Sequence, residues 1–136
     1  MTAQALTYKK KTKNLEIAVT PHFLEQQSDP ERSLFVWAYH IVITNRDHKR
    51  WKLTSRYWEI TDAHGLTQTV EGEGVVGEQP LIHPGTSFEY TSGVPLKTPC
   101  GMMTGHYIML CSNGEQAKIG IPLFSLDSPF DKRQAN

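Results

Sequence analysis

Gly72, Gly74 and Gly77 give this chain a G-x-G-x-x-G run. That spacing wraps a dinucleotide pyrophosphate when it lies between a strand and a helix. Here Gln79-Pro80 ends the run before a helix can start, and Ile82-His83-Pro84-Gly85 turns immediately afterwards. With no βαβ unit around it, the spacing is not a dinucleotide fingerprint. Two readings stay open. The backbone amides of Gly72, Gly74, Val75, Val76 and Gly77 can form a nest for phosphate or carboxylate, or the glycines serve tight turns and close packing beside a sheet.

Arg56 is the second group with chemical reach. It lies in phase with Trp58 and Ile60 inside a strand pattern, so its guanidinium is expected on the core side. A buried charge needs a carboxylate or several carbonyls, and Glu71 or Glu73 is the expected partner. Arg56 is then either an ion pair holding the glycine loop or the cationic arm of an anion site. The other candidates are weaker. Six histidines occur without H-x-H or H-E-x-x-H spacing, and Cys100 and Cys111 lack a second pair to complete a zinc site. No metal site and no cofactor is expected. No G-x-S-x-G elbow is present. Cys100, between Pro99 and Gly101, reads either as an exposed loop thiol or as a packed cysteine on a strand edge. Of the aromatics, Trp51 and Tyr57 are expected to reach the surface, where aromatics beside arginine make a protein-binding hot spot.

The elements that position these residues are strands. Leu15, Ile17 and Val19 alternate with polar or small residues, and Phe35, Trp37, Tyr39, Ile41 and Ile43 share one face of the strongest strand pattern. A strand over residues 51–61 follows, with a bulge expected between Leu53 and Arg56 because Leu53 is out of phase with Arg56, Trp58 and Ile60. Shorter strand patterns cover 66–71 and 86–92. Two longer ones, 102–111 and 115–126, are joined by Ser112-Asn113-Gly114, a tight hairpin signal. No helix of ten residues is apparent. The spacing predicts an all-β fold of seven or eight strands, a two-sheet sandwich of immunoglobulin or fibronectin type III kind.

The chain has 136 residues, the size of one domain. Fourteen Lys+Arg balance fourteen Asp+Glu, so nothing steers the whole protein toward nucleic acid or anionic lipid. The longest apolar run, Tyr107 to Cys111, is far short of the roughly 20 residues of a spanning helix. No signal-peptide layout opens the sequence, which points to the cytoplasm. Residues 1–14, with Lys9-Lys10-Lys11-Thr12-Lys13, read as a flexible basic lead-in. Residues 15–129 read as the sandwich domain and 130–136 as a polar tail with one apolar anchor, Phe130.

Several longer motifs resemble the ApaG family. They are Ser55-Arg56-Tyr57-Trp58-Glu59-Ile60-Thr61-Asp62, Gly72 to Pro80, Pro84 to Gly93, Gly101-Met102-Met103-Thr104-Gly105-His106-Tyr107, and Ile121 to Leu126. The resemblance runs from about Leu15 to Pro129 and implies a fibronectin type III-like sandwich. It also implies a link to cobalt and magnesium resistance in bacteria, with related domains in eukaryotic F-box proteins and in a DNA polymerase delta-interacting protein. Bacterial members are encoded beside a dinucleoside tetraphosphatase and an rRNA dimethyladenosine transferase. By position, Gly72, Gly74 and Gly77 match the family's glycine motif, for which pyrophosphate binding has been suggested, and Arg56, Trp58, Asp62, Gln79 and Pro80 flank it. Ala117 departs from the large aromatic of the family pattern.

Together these features give a non-enzymatic binding module whose partner is another protein, with self-association open to the same edge-strand physics. Its expected interaction surface combines Trp51, Tyr57, Asp62, Gln79 and Pro80 with the glycine loop and Arg56. The alternative is a small anion or nucleotide (pyrophosphate) binder using Arg56 and the Gly72–Gly77 loop.

Overall fold

Alternation sets the architecture. In the computed structural model, which describes residues 6–130, strands β1 (Tyr8–Thr12), β2 (Leu15–Phe23), β3 (Phe35–Asn45) and β7 (Ser87–Leu96) form one antiparallel sheet in the order β1-β2-β3-β7. The second sheet has the order β5-β4-β8-β9, built from β5 (Thr67–Glu73), β4 (Trp51–Asp62), β8 (Cys100–Cys111) and β9 (Gln116–Asp127). A two-residue strand, β6 (Leu81–Ile82), pairs with the start of β4. The only helical elements among the described residues are two 3₁₀ turns, Glu25–Gln27 and Pro30–Arg32.

The inward set of β3, Phe35 through Ile43 at every second position, is buried as its alternation predicts, as are Leu15, Ile17 and Val19 of β2. Across the sandwich these residues meet Trp58 and Phe124. Tyr39 packs edge-on against Trp58 with centroids 5.2 Å apart, and Trp58 meets Phe124 at 6.0 Å. The bulge in β4 is present, as a register shift between Leu53 and Ser55 against β8. It brings Leu53, Arg56, Trp58 and Ile60 onto one face.

One expectation is corrected. The lead-in is strand from Tyr8 to Thr12, registered from Tyr8↔Val19 to Thr12↔Leu15. Lysines on an edge strand guard it against further pairing, so a basic run is compatible with order there. Lys10 lays its aliphatic stem over β9, where a Cβ on Gly120 would come within 2.9 Å of its Nζ. At the other end Phe130 packs on Phe23 and Phe35, as an apolar anchor of the tail should. Residues 1–5 of the lead-in and 131–136 of the tail lie outside the described residues. Of the two readings of Cys100, the packed strand cysteine is the one observed: it opens β8 and is buried, as Cys111 is at that strand's other end.

β1 and β2 lie against β9, which closes one side of the sandwich. The other side ends in β5 on one sheet and β7 on the other, two terminal strands that pair on one side only among the described residues. That side stays open.

Candidate functional site

The bulge in β4 turns Arg56 inward at this open side. Its neighbour across the ladder is Gly72 of β5. The guanidinium lies flat over that glycine: a Cβ there would sit 2.8 Å from both Nη1 and Nη2. Nη1 donates to the carbonyl oxygens of Gly74 at 2.9 Å and Glu73 at 3.1 Å. The expected partner is thereby corrected. No carboxylate is in ion-pair contact with Arg56 among the described residues, and main-chain carbonyls hold it instead. The reason is the hairpin beyond β5, which folds its own backbone back over the arginine.

Each glycine of the run has a separate structural duty. Gly72 makes room for the guanidinium. Gly74, at φ +62°, passes so close to the Glu78 carbonyl that a Cβ would lie 2.1 Å from its oxygen. Gly77, at φ +80°, follows Val76 at φ +44° in a two-residue turn closed by reciprocal Val75–Glu78 backbone bonds of 2.8 and 2.9 Å. Positive φ at both central positions is the pattern of a type I′ hairpin turn. Of the amides from Gly74 to Glu78, those of Gly74, Val75 and Glu78 are engaged within the protein, which leaves Val76 and Gly77 to present N–H groups outward.

Arg56, Val75, Val76 and Gly77 share the wall of a cleft of about 330 Å³. Tyr39, Trp58, Glu73, Tyr90 and Ser92 form the rest of it. A second hollow of about 240 Å³ continues along the open side, past Ile60, Gln68, Val70 and Val94. The first cleft is mainly polar, and the second hollow mixes polar and apolar side chains. Tyr90 and Tyr107 hydrogen-bond each other through their hydroxyls at 2.5 Å, fully inside. Burial pushes both hydroxyls above the ordinary tyrosine value near 10, with Arg56 acting weakly in the opposite sense. Tyr39 is raised for the same reason, against a smaller pull from Ser92 and Arg56.

The unfolded tyrosines ionise near pH 10, whereas Tyr90 and Tyr107 hold their protons to higher pH in the fold. Stability is therefore fully present below pH 10 and falls as pH rises above it. Tyr107→Phe strands the Tyr90 hydroxyl and should cost about 1–3 kcal/mol at neutral pH. It should also reduce the loss of stability above pH 10, as read by urea midpoints between pH 8 and 11.

The remaining expected surface residues do not gather at this cleft. Trp51 is buried, a correction, because β6 and β8 flank it and its indole Nε1–H donates to Asp47 Oδ2 at 3.0 Å. Tyr57 is on the outer face, stacked on His106 with centroids 5.0 Å apart and donating to Glu59. Burial lowers the His106 pKa, and Lys118 adds to the effect. Asp62, at the far end of β4, accepts from the His64 and Leu66 amides and so closes the β4–β5 turn. Gln79 donates to the Thr54 carbonyl, and the Pro80 carbonyl accepts from Leu53 N–H. These three brace the ends of β4. The residues that spacing missed are Tyr39, Tyr90 and Ser92. Only their inward phase on β3 and β7 marks them beforehand, and that phase looks the same as core. Among the described residues no group of three or more His, Cys, Asp or Glu could hold a metal ion. No helix there is long and apolar enough to cross a membrane.

Fold and cleft together define a fibronectin type III-like β-sandwich that is closed on one flank and open on the other. The chain belongs to the ApaG domain family, whose model matches residues 25–111. It is 51% identical over 129 residues to protein ApaG of Sinorhizobium fredii, covering 95% of this chain and 99% of that one. It is 52% identical over the same length to protein ApaG of Bradyrhizobium diazoefficiens, with the same coverage. A crystal structure from Bordetella pertussis, assigned to an ApaA protein, superposes with a TM-score of 0.83 at 45% identity, covering 85% of this chain and 94% of that one.

Proposed function

We propose that this ApaG-family protein is a non-enzymatic recognition module that takes a segment of another protein into the cleft between β5 and β7. The observation that carries this reading is Arg56, an inward-facing guanidinium in ion-pair contact with no carboxylate among the described residues, in a polar cleft that continues into a hollow past Ile60, Val70 and Val94. Val76 supports it. This β-branched residue sits at φ +44° with 54% of its surface exposed, where asparagine would be at ease. Strain at an exposed apolar residue on the rim of a cleft is the kind of local cost that contact with a partner explains.

Val76→Asn should raise stability by about 1 kcal/mol, since positive φ strain is worth roughly 1–3 kcal/mol. The test is a selection of displayed random peptides on the intact protein, followed by affinity measurement on this variant. Enriched peptides are expected to bind Val76→Asn and Arg56→Met at least tenfold more weakly than the unaltered protein. The melting temperature of Val76→Asn should be unchanged or higher. No enrichment, or binders indifferent to both substitutions, would reject the reading.

The second reading is a small-anion site made by Arg56 with the outward amides of Val76 and Gly77. It predicts saturable binding of pyrophosphate or ATP in isothermal titration, with and without Mg²⁺, lost in Arg56→Met. A flat titration leaves the run Gly72–Gly77 as architecture.

A further inference from the structure

The two outer edges on the open side differ. β7 carries Pro95, which cannot donate to a ladder and blunts an edge, whereas β5 reads Thr-Gln-Thr-Val-Glu-Gly-Glu without proline, lysine or bulge. Arg56 also reaches toward β5. Its guanidinium lies across Gly72, so the one inward position of β5 without a side chain is covered by a cation from the strand behind it. A further strand beside β5 would lie about 4.8 Å beyond it. Its residue opposite Gly72 would project next to Nη1 and Nη2. Two positions along, the same face of that strand would meet Val70, which is 38% exposed and lines the cleft.

We infer that the cleft recognises its partner by antiparallel strand addition to β5, and that the partner segment carries an acidic residue followed two positions later by an apolar one. The acid pairs with Arg56 over Gly72, and the apolar side chain covers Val70. On the outer face the added strand passes Glu71 and Glu73, so basic residues are favoured on either side of the acid. The motif reads basic-acidic-basic-apolar. A second copy of this chain fits poorly. The inward residues of its own β5 are Gln68, Val70 and Gly72, none acidic, and its Glu71 and Glu73 would bring like charge to the outer face.

This inference rests on the recognition reading above, and its test is separable from that one. The probe is the capped peptide acetyl-Thr-Lys-Glu-Lys-Val-Thr-Thr-amide, titrated to millimolar concentration against the intact, isotope-labelled protein. The amide signals of Thr67–Glu73 should shift, and those of the β7 edge should not. Replacing the peptide's glutamate by glutamine should weaken binding at least tenfold. Methylating one alternate set of peptide nitrogens should abolish binding, and methylating the other set should leave it, as a one-sided ladder requires. Shifts centred on β7, indifference to the glutamate, or equal sensitivity to both methylation sets would overturn strand addition to β5. So would the absence of any shift. If library-selected peptides still depended on Arg56 and Val76 in that event, the cleft reading would stand without this inference. If they too failed, both would fall.

Discussion

Gly105→Ala should destabilise the protein by roughly 4 kcal/mol, at the far end of what single substitutions do. Gly105 stands opposite Trp58 where β8 crosses β4, and the β8–β9 register shifts beside it. A Cβ there would lie 2.0 Å from the Tyr57 carbonyl oxygen, 3.1 Å from its carbon and 3.2 Å from the Trp58 Cα. All three are main-chain atoms, so no rotamer change relieves the clash; the two central strands must separate. The strand that would move also carries Arg56 and Trp58, so the cleft should loosen with the core. Gly114→Ala is the control. Gly114 has φ +89° but open space around it, so its change carries only the backbone penalty. Urea midpoints of the two variants measure the difference. A Gly105→Ala protein within 1 kcal/mol of the original would show that the strands separate freely here.

What the sequence makes legible depends on how local each determinant is. The inward face of β3 and the bulge after Leu53 can be read because both are matters of phase within a few residues. The turn at Asn113-Gly114 is equally local: the Gly114 amide closes it on the Cys111 carbonyl. Strand β1 hides because Lys9, Lys10 and Lys11 mask any alternation. Its order comes from the edge of β2 and from the space over Gly120, both remote in sequence. The candidate site splits along the same line. Arg56 facing inward is legible from its phase with Trp58 and Ile60. Its partners are not, because carbonyls of Glu73 and Gly74 become available only when the hairpin closes on Val76 and Gly77. The cleft itself belongs to no single motif. It exists because β5 and β7 end their sheets on the same flank, which is a property of topology.

Trp51 shows how far that distinction reaches, because a tryptophan at the end of a charged turn reads as exposed. Trp51→Ala should cost about 3–5 kcal/mol, the range of large-to-small changes in a packed core. The residue is 2% exposed, pairs with Ile82 on one side and Cys111 on the other, and anchors the turn before it through Asp47. That indole bond is the largest cause holding the Asp47 carboxyl below the ordinary carboxylate range, with the His48 amide next. Trp51→Phe keeps most of the buried area and removes the donor. It should therefore cost less than the alanine change while letting the Asp47 pKa rise toward its ordinary value, which a proton titration followed by NMR would show. A tryptophan acting as an interface aromatic predicts the reverse: stability nearly untouched and peptide binding lost. The comparison matters for the cleft, because Trp51 and Arg56 belong to one strand, and β6 packs beside the start of it. If Trp51→Ala lowers the urea midpoint while peptides selected at the cleft still bind the folded fraction, the two ends of β4 divide the work. Trp51 then holds the sandwich together, and Arg56 meets what enters it.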